Sequence, residues 1–182
     1  NGSSLSDLFG NTLLYSKIVT IRTIVMPTRA ILFLKQRRIP FEAVHYDHLE
    51  KGAEFAARAT GFPLERTVKT LVVGIGAHRH ALVLLSGERQ LDMRRLAQAL
   101  SVKRAEMADA ATAERLTGYH VGGISPFGTR QPLPVVMDAP LMSKDEVLIN
   151  AGQRGVMLRM RPVDIHAALD CIAADVSQRS ER

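Results

Sequence analysis

The sequence predicts one domain of the mixed α/β (α+β) class, with a mixed, mostly antiparallel sheet flanked by helices. The chain has 182 residues, 46% of them hydrophobic, which is enough to bury one sizeable core. Two strand-like runs at 68–75 and 81–85 are joined by a short segment that contains glycine, and this pattern predicts a hairpin. Helical patterns alternate with further strand-like runs along the chain. This order favours helices packed against a sheet rather than an all-α or all-β fold.

The N-terminal part divides near Met26. We expect 1–25 to form an N-terminal extension and 26–182 to form the domain. Within the extension, 18–25 is rich in β-branched residues, which predicts a strand. Pro27 and Thr28 then predict the start of a helix, because proline fits the first turn.

The middle of the chain reads as alternating strands and helices. A strand is predicted at 41–46, followed by a helix at 51–60 that ends at Gly61. Asp92 and Asp109 each precede residues with helical spacing, as N-terminal caps do. Further strands are predicted at 133–137, 147–149 and 156–160.

The last predicted helix begins at Pro162. We expect its buried stripe to consist of Ile165, Leu169, Ile172 and Val176. Cys171 falls inside this predicted helix and is the only cysteine, so the sequence contains no disulfide framework. Between two apolar neighbours, a buried inert thiol is favoured over a nucleophile.

The charge balance makes a polyanionic partner a reasonable expectation. The 24 basic residues exceed the 18 acidic residues, which gives a net charge of +6. RNA is such a partner, although a basic protein without one has the same composition. No apolar run is long enough to predict a membrane span, and no secretory signal is evident, so we expect a cytoplasmic protein. The histidines are scattered, and we expect neither a metal nor a cofactor.

The residues that suggest chemistry are one lysine and one glycine-rich loop. Lys69 lies in an apolar strand-like run, where an ammonium group costs desolvation unless it reaches a rim or a cleft. The segment 117–128 contains four glycines and a proline, so it must form turns and can bring main-chain N–H groups close to a ligand. Together they predict a pocket for a carbonyl, carboxylate or phosphate oxygen.

Each of these features also has a purely structural interpretation. Lys69 could extend its ammonium to solvent from an edge strand, and we weigh this equally with a role in a cleft. Gly122 and Gly123 could form an ordinary turn. Ser125 precedes a proline, unlike a nucleophile elbow, so we interpret its hydroxyl as a group that contacts a ligand or fixes the turn.

Several motifs together resemble the YbaK/EbsC-type aminoacyl-tRNA deacylases, relatives of the editing domain of bacterial prolyl-tRNA synthetases. The resemblance covers the chain from about Met26 to the final helix. The matching segments are Val-Lys-Thr-Leu-Val at 68–72, Leu-Asp-Met-Arg-Arg-Leu-Ala at 91–97, Ala-Glu-Met-Ala-Asp at 105–109, Thr-Gly-Tyr at 117–119, Val-Gly-Gly-Ile-Ser-Pro at 121–126, Asp-Ala-Pro at 138–140 and Gly-Gln-Arg-Gly at 152–155.

The resemblance implies hydrolysis of the ester that joins a wrong amino acid to tRNA, on a fold like the editing domain. It implies that Lys69 is central to activity, acting either on the acyl carbonyl or on the tRNA terminus, and that water or the substrate's own side chain attacks. The substrate-binding residues implied are Tyr46, Phe55, Thr70, Gly122, Gly123, Ile124, Ser125, Pro126 and Asn150.

The sequence departs from the Cys-tRNA deacylases of that family at two positions near the implied pocket. Those proteins tend to have serine where Asn150 stands and an acidic residue where Met157 stands. The shape and polarity of a pocket determine which small amino-acid side chains it accepts. These two differences therefore leave open which amino acid this protein removes.

Three functions are compatible with the sequence. The first is a trans-editing deacylase of mischarged tRNA, above all Cys- or Ala-tRNA(Pro), with prolyl-tRNA synthetase as a further partner. The second is a non-catalytic module that binds tRNA or a synthetase. The third is hydrolysis or binding of another small acyl ester. The lysine and the glycine loop favour the first, because a pure binder does not need that cleft.

Overall fold

The computed structural model describes residues 27–179 of the chain. The extension predicted at 1–25, and the strand predicted within it at 18–25, lie outside the described residues. Both therefore stay predictions.

Local sequence signals mark the starts or ends of most of the helices. The described α-helices are α1 (Arg29–Gln36), α2 (Ala53–Thr60), α3 (Met93–Ala99), α4 (Ala110–Thr117) and α5 (Pro162–Leu169). The Thr28 hydroxyl accepts a hydrogen bond from the Ile31 N–H at 3.2 Å and so caps α1. The carboxylates of Asp92 and Asp109 cap α3 and α4 in the same way, and Gly61 follows α2, as the sequence predicts. None of these helices is long and apolar enough to cross a membrane.

The strands form three sheets rather than one. They are β1 (Glu42–His45), β2 (Val68–Gly74), β3 (His80–Ser86), β4 (Arg89–Leu91), β5 (Glu106–Met107), β6 (Val135–Asp138), β7 (Val147–Asn150), β8 (Val156–Met160), β9 (Ile172–Ala174) and β10 (Ser177–Arg179). The largest sheet has the order β5-β2-β3-β6-β9, a second has the order β1-β8-β7, and β10 pairs with β4.

Pairing within these sheets is mostly antiparallel, which confirms the predicted fold class. The hairpin of β2 and β3 and the β1–β8–β7 ladder are antiparallel, whereas β6 is parallel to both β3 and β9. The parallel strands of the large sheet are therefore not neighbours in sequence. Such connections need crossovers: β4, α3, β5 and α4 lie between β3 and β6, and β7, β8 and α5 lie between β6 and β9.

Side chains alternate across the large sheet and bury two clusters on its two faces. Val68 and Val72 of β2 belong to one buried cluster with residues of α1, α4 and α5. Val73 of β2 belongs to the other, with Leu96 of α3. Because both faces are covered, β2 and β3 form the centre of the domain.

The prediction for the C-terminal helix is wrong beyond Leu169. Asp170 adopts a left-handed conformation with φ of 48°, which ends α5. Ile172 lies on β9, paired with Val136 of β6, and is 43% exposed rather than part of a helical stripe. Cys171 is buried as predicted, but it lies between α5 and β9.

A buried carboxylate joins the C-terminal strands to the sheet. Asp138 at the end of β6 is fully buried, and it accepts a hydrogen bond from the Val176 N–H at 3.1 Å. The Ser177 hydroxyl donates to its other oxygen, and Arg89 Nε lies 3.6 Å from that oxygen. A buried charge is tolerated only when it is paired in this way.

We expect Asp138→Ala to lower the free energy of unfolding by about 3 kcal/mol, because the charge of Arg89 loses its carboxylate and the Val176 N–H loses its acceptor. Urea denaturation measures the change. The exposed Asp145→Ala is the control and is expected to cost less than about 0.5 kcal/mol. Equal losses for the two variants would contradict this role of Asp138.

Candidate functional site

A cavity of about 530 Å³ lies along β2, between the start of α2 and the start of α4. Its wall is mainly apolar, with few polar groups. Of the residues predicted to bind a ligand, those that line it are Tyr46, Lys69, Thr70, Gly122, Ile124 and Asn150. A concave apolar space with few converging polar groups is typical of a small-molecule site.

A larger hollow of about 930 Å³ lies against other residues of α2, including Glu54 and Arg58, and against Gly87. None of the predicted site residues lines it. We therefore take the smaller cavity as the candidate site, since its position and not its volume connects it to the predicted chemistry.

One edge of β2 is open to this cavity. On its other edge, β2 pairs with β3 along its full length, from Val68 to Gly74. On the open edge it pairs with β5 only at Val73 and Gly74, and an isolated bridge joins Thr67 to Leu148. Between these two points no described strand pairs with β2, and 68–72 line the cavity instead.

The direction of the main-chain groups on β2 follows from these contacts. The Val72 carbonyl accepts a hydrogen bond from the Ala108 N–H on the open side, at 3.1 Å, whereas the Thr67 carbonyl accepts from Gly87 on the β3 side. Both groups of one strand residue point to the same side, and the direction alternates along the strand. Thr70 thus turns its N–H and its carbonyl towards the open edge.

Lys69 is half-buried at the cavity, and its ammonium is held by main-chain oxygens. Nζ donates to the Gly87 carbonyl at 3.3 Å and to the Arg89 carbonyl. Desolvation lowers the pKa of Lys69, and the negative charge of Glu54 opposes this in part. Because side chains alternate, Lys69 projects from the face of β2 opposite to Val68 and Thr70.

The glycine-rich loop contributes Val121, Gly122 and Ile124 to the wall. Gly122 has φ of 90°, a conformation that side chains disfavour. A Cβ there would lie 3.1 Å from Arg154 Nε and 3.4 Å from Lys51 Cγ. Two cationic side chains, Arg154 and Lys51, therefore lie close to this turn, and Lys51 also lines the cavity.

The rest of the loop is held by contacts on its side away from the cavity. Gly123, Ser125 and Pro126 are buried and lie outside the cavity lining. Ser125 Oγ accepts from the Phe127 N–H at 3.4 Å, which favours the turn-fixing interpretation of its hydroxyl. The Tyr119 hydroxyl donates to the Phe127 carbonyl at 2.7 Å and holds the two ends of the loop together.

The aromatic pair predicted for the pocket is only partly in its wall. Tyr46 lines the cavity, whereas Phe55 does not. The two rings are 6.3 Å apart between centroids, so Phe55 supports Tyr46 from outside.

Asn150 and Met157 face each other across the β7–β8 ladder, and both line the cavity. Asn150 Oδ1 accepts from the Gly152 N–H at 2.8 Å, which leaves its amide NH₂ for other partners. Met157 is buried and belongs to a small cluster with Ala56 and Leu148.

The cavity lining of the described residues contains no serine, cysteine, histidine or carboxylate. Cys171 is buried elsewhere, and desolvation raises the pKa of its thiol to about 12, so it is neutral near pH 7. His120 is exposed and contacts Glu114 at 3.3 Å. No group of three or more potential metal-binding side chains occurs within 27–179.

Sequence reasoning missed Lys51, Val121, Ala56 and Ala113 as wall residues. Lys51 falls in a predicted helix as an ordinary surface cation, and nothing local marks it. The two alanines belong to helical apolar faces, where sequence predicts burial but not which buried residue borders a cavity.

Comparison with known proteins relates most of the chain to a described family. The model of a family described as "Aminoacyl-tRNA editing domain" matches residues 49–168, which includes α2, β2 and the glycine-rich loop.

Individual relatives cover most of the chain. A protein of Escherichia coli named "Multifunctional Ser/Thr-tRNA deacylase ProXp-y" is 31% identical over 140 residues, 75% of this chain and 83% of that protein. A protein of Enterococcus faecalis named "Putative Cys-tRNA(Pro)/Cys-tRNA(Cys) deacylase EbsC" is 29% identical over 74% of this chain and 84% of that protein. A structure titled "Crystal structure of a putative trans-editing enzyme for prolyl tRNA synthetase" matches with a TM-score of 0.76 at 27% identity, over 82% of this chain and 95% of that chain.

Tyr119, which holds the glycine-rich loop, also lies against Gly152, and this contact gives a stability prediction. Its φ is 95°, and a Cβ there would lie 2.5 Å from Tyr119 Cε1, whereas Gly76 has φ of 82° with nothing within 4 Å. We expect Gly76→Ala to cost about 1 kcal/mol from backbone strain alone. Gly152→Ala is expected to cost about 2 kcal/mol more, because the tyrosine ring must move. Chemical denaturation compares them, and equal costs would show that the Tyr119 contact is unimportant.

Proposed function

Because this chain belongs to the aminoacyl-tRNA editing domain family, we propose that it is a trans-editing deacylase that hydrolyses the ester of mischarged tRNA. The observation that carries the proposal is that Lys69, the open edge of β2 and Gly122 line one cavity. The leading substrates are Cys-tRNA(Pro) and Ala-tRNA(Pro). No cofactor or metal is part of the proposal.

Ester hydrolysis develops negative charge on the acyl oxygen. Preorganised N–H donors and an ammonium group stabilise that charge, and they do so more strongly in a partly dry cavity. Lys69 is the one ammonium on β2 at this cavity, and burial already lowers its pKa. Two of its N–H bonds are directed to the carbonyls of Gly87 and Arg89, which leaves the third for the substrate.

The nucleophile in this proposal does not come from the protein. The described lining residues offer only the hydroxyls of Tyr46 and Thr70, and the lining contains no histidine or carboxylate that would activate either of them as a general base. A bound water, or the side chain of the substrate itself, is therefore the attacking group.

The aminoacylated end of the tRNA would bind at the rim of the cavity. Lys51 lines the cavity, and Arg154 lies against Gly122 and donates to the Val121 carbonyl at 2.9 Å. Cations at this position suit the phosphate that precedes the terminal nucleoside. The net charge of +6 favours a nucleic-acid partner, and prolyl-tRNA synthetase is the further partner we propose. A cytoplasmic location follows from this substrate.

The lining favours a small, weakly polar amino acid. Ala56, Ala113, Ile124 and Met157 surround the space, and the first two are too small to fill it. The relatives named above are called deacylases of Cys-tRNA and of Ser/Thr-tRNA, so the substrate varies within the family. The apolar part of this lining favours alanine and cysteine, whereas the Thr70 hydroxyl and the Asn150 amide are the groups that a serine or threonine substrate would use instead.

One observation favours the non-catalytic alternative. The ammonium of Lys69 already donates to two main-chain carbonyls, as it would if its only role were to link β2 to the turn between β3 and β4. In that case the module would bind tRNA or a synthetase without hydrolysis. The following variant separates the two.

We expect Lys69→Ala to lower the rate of deacylation of Ala-tRNA(Pro) or Cys-tRNA(Pro) by at least about 100-fold, because the variant loses the charge that stabilises the oxyanion. Single-turnover hydrolysis measures the rate. The exposed Lys103→Ala is the matched control and is expected to keep the wild-type rate.

Thermal melting of both variants checks that the fold is intact. If Lys69→Ala melts like wild type and hydrolyses at the wild-type rate, Lys69 has no part in the chemistry. If the wild-type protein binds tRNA but hydrolyses none of the mischarged forms, the non-catalytic module is the correct function.

A second prediction concerns the two positions that differ from the Cys-tRNA deacylases. We expect wild type to hydrolyse Ala-tRNA(Pro) and Cys-tRNA(Pro) faster than Ser- or Thr-tRNA. Asn150→Ser combined with Met157→Asp is expected to change the ratio of Cys to Ala rates by about 10-fold, because both side chains line the cavity.

The readout is the ratio of rates across the panel, which a general loss of stability does not alter. Met157→Leu preserves apolar volume and is the control. An unchanged ratio would show that these side chains do not contact the amino acid, and faster hydrolysis of Ser- or Thr-tRNA by wild type would replace the proposed substrates.

A further inference from the structure

The described strand pairing gives no partner to the main-chain N–H and carbonyl of Thr70. Its N–H and carbonyl point to the open edge of β2, between the Thr67–Leu148 bridge and the Val73–Met107 pair. Nearly all buried main-chain groups in proteins are paired, with protein atoms or with water. An unpaired strand edge inside a cavity wall is therefore suited to bind a ligand.

The chemistry of an α-amino acid ester matches this edge. In an antiparallel sheet, residues of a hydrogen-bonded pair exchange two bonds, each giving its N–H to the carbonyl of the other. An aminoacyl group carries a donor and an acceptor on one α-carbon, as a strand residue does. It can therefore exchange the same two bonds with a single residue.

We propose that Thr70 binds the aminoacyl group of the substrate as a one-residue antiparallel strand. The Thr70 carbonyl accepts from the α-ammonium, and the Thr70 N–H donates to the ester carbonyl. This inference rests on the proposed function and adds the recognition of the α-amino group to it.

The pairing also sets where the amino-acid side chain lies. Side chains of an antiparallel pair project from the same face of the sheet. An L-amino acid paired with Thr70 therefore projects its side chain to the face that carries Val68 and Val72, where Ala113 and Ile124 pack. Lys69 projects from the other face. The edge thus recognises the part common to all amino acids, and the apolar face selects among their side chains.

The same pairing assigns a donor to the ester carbonyl. As water attacks, a C–O bond forms at the acyl carbon and the carbonyl electrons move onto its oxygen. The carbonyl then re-forms, the bond to the ribose oxygen breaks, and that oxygen takes up the proton that the attacking water has lost. A Thr70 N–H directed at the carbonyl oxygen stabilises the charge in the intermediate without any side chain.

The first test is amide hydrogen exchange, measured by NMR on the full chain. The probe is 3′-alanylamino-3′-deoxyadenosine, which replaces the ester by an amide that resists hydrolysis. We expect the Thr70 amide to exchange at least about 10-fold more slowly in the saturated complex. The Leu71 amide is the control, because its direction on β2 pairs it with β3 with or without probe.

The second test alters the substrate and leaves the protein unchanged. Propionyl-tRNA(Pro) lacks the amino group of Ala-tRNA(Pro) and is otherwise of similar shape. We expect its rate enhancement over uncatalysed hydrolysis to be at least about 10-fold smaller, because a charge-assisted hydrogen bond is lost.

The outcomes separate this inference from the function on which it rests. If Ala-tRNA(Pro) is hydrolysed but the bound probe does not slow exchange of the Thr70 amide, Thr70 does not hold the aminoacyl group. The same conclusion follows if the rate enhancement for propionyl-tRNA(Pro) equals that for Ala-tRNA(Pro). If no mischarged tRNA is hydrolysed, the proposed function itself fails. Protection of Thr70 together with a loss for the propionyl ester supports both.

Discussion

β2 is hydrogen-bonded to β3 along its whole length, but on its other edge it meets neighbours only at its ends. The candidate site depends on this unequal pairing. A strand with no pairing on that side would be a free edge, open to aggregation, and a fully paired strand would leave no cavity. Here the Leu148 bridge and the β5 pair close the two ends, and α2, α4 and the glycine-rich loop cover the gap between them. Val68 and Val72 pack into one core cluster and Val73 into the other, so the open stretch is anchored in the core at both of its ends although it is unpaired.

The polar groups of the site are held by main-chain contacts rather than by other side chains. Lys69 is fixed by the carbonyls of Gly87 and Arg89, and Asn150 by the Gly152 N–H. The loop around Gly122 is held by Tyr119, whose hydroxyl donates to Phe127 and whose ring packs under Gly152. Main-chain partners persist when side chains change. With this arrangement the apolar lining can differ while the groups that would meet the ester stay in place.

Much of the fold was predictable from local signals, since those signals also act locally in the structure. Asp92 and Asp109 cap helices, Gly61 ends one, and the alternation at 68–75 and 81–85 forms the central hairpin. The prediction failed at the C-terminus, where Ile172 joins β9 rather than α5. Its pairing partner is Val136, far away in sequence, and the buried Asp138 that holds the next segment binds Val176 and Ser177. Helical spacing could not reveal either contact. Short strands such as β4 and β5 were missed for the same reason, because their partners and not their composition define them.

For the site, the sequence by itself determined the inventory: a lysine in an apolar strand, a loop that must turn at its glycines, and motifs that resemble the editing domains. These depend on residue type and spacing, which local physics and family likeness both constrain. Only the tertiary structure decided which of these residues share a cavity, placing Tyr46, Thr70 and Gly122 in its wall and Phe55, Ser125 and Pro126 behind it. It alone decided that one edge of β2 is unpaired at Thr70. Strand pairing is a contact between distant segments, and the direction of a main-chain N–H is set by the partners of its neighbours, which no single stretch of sequence encodes.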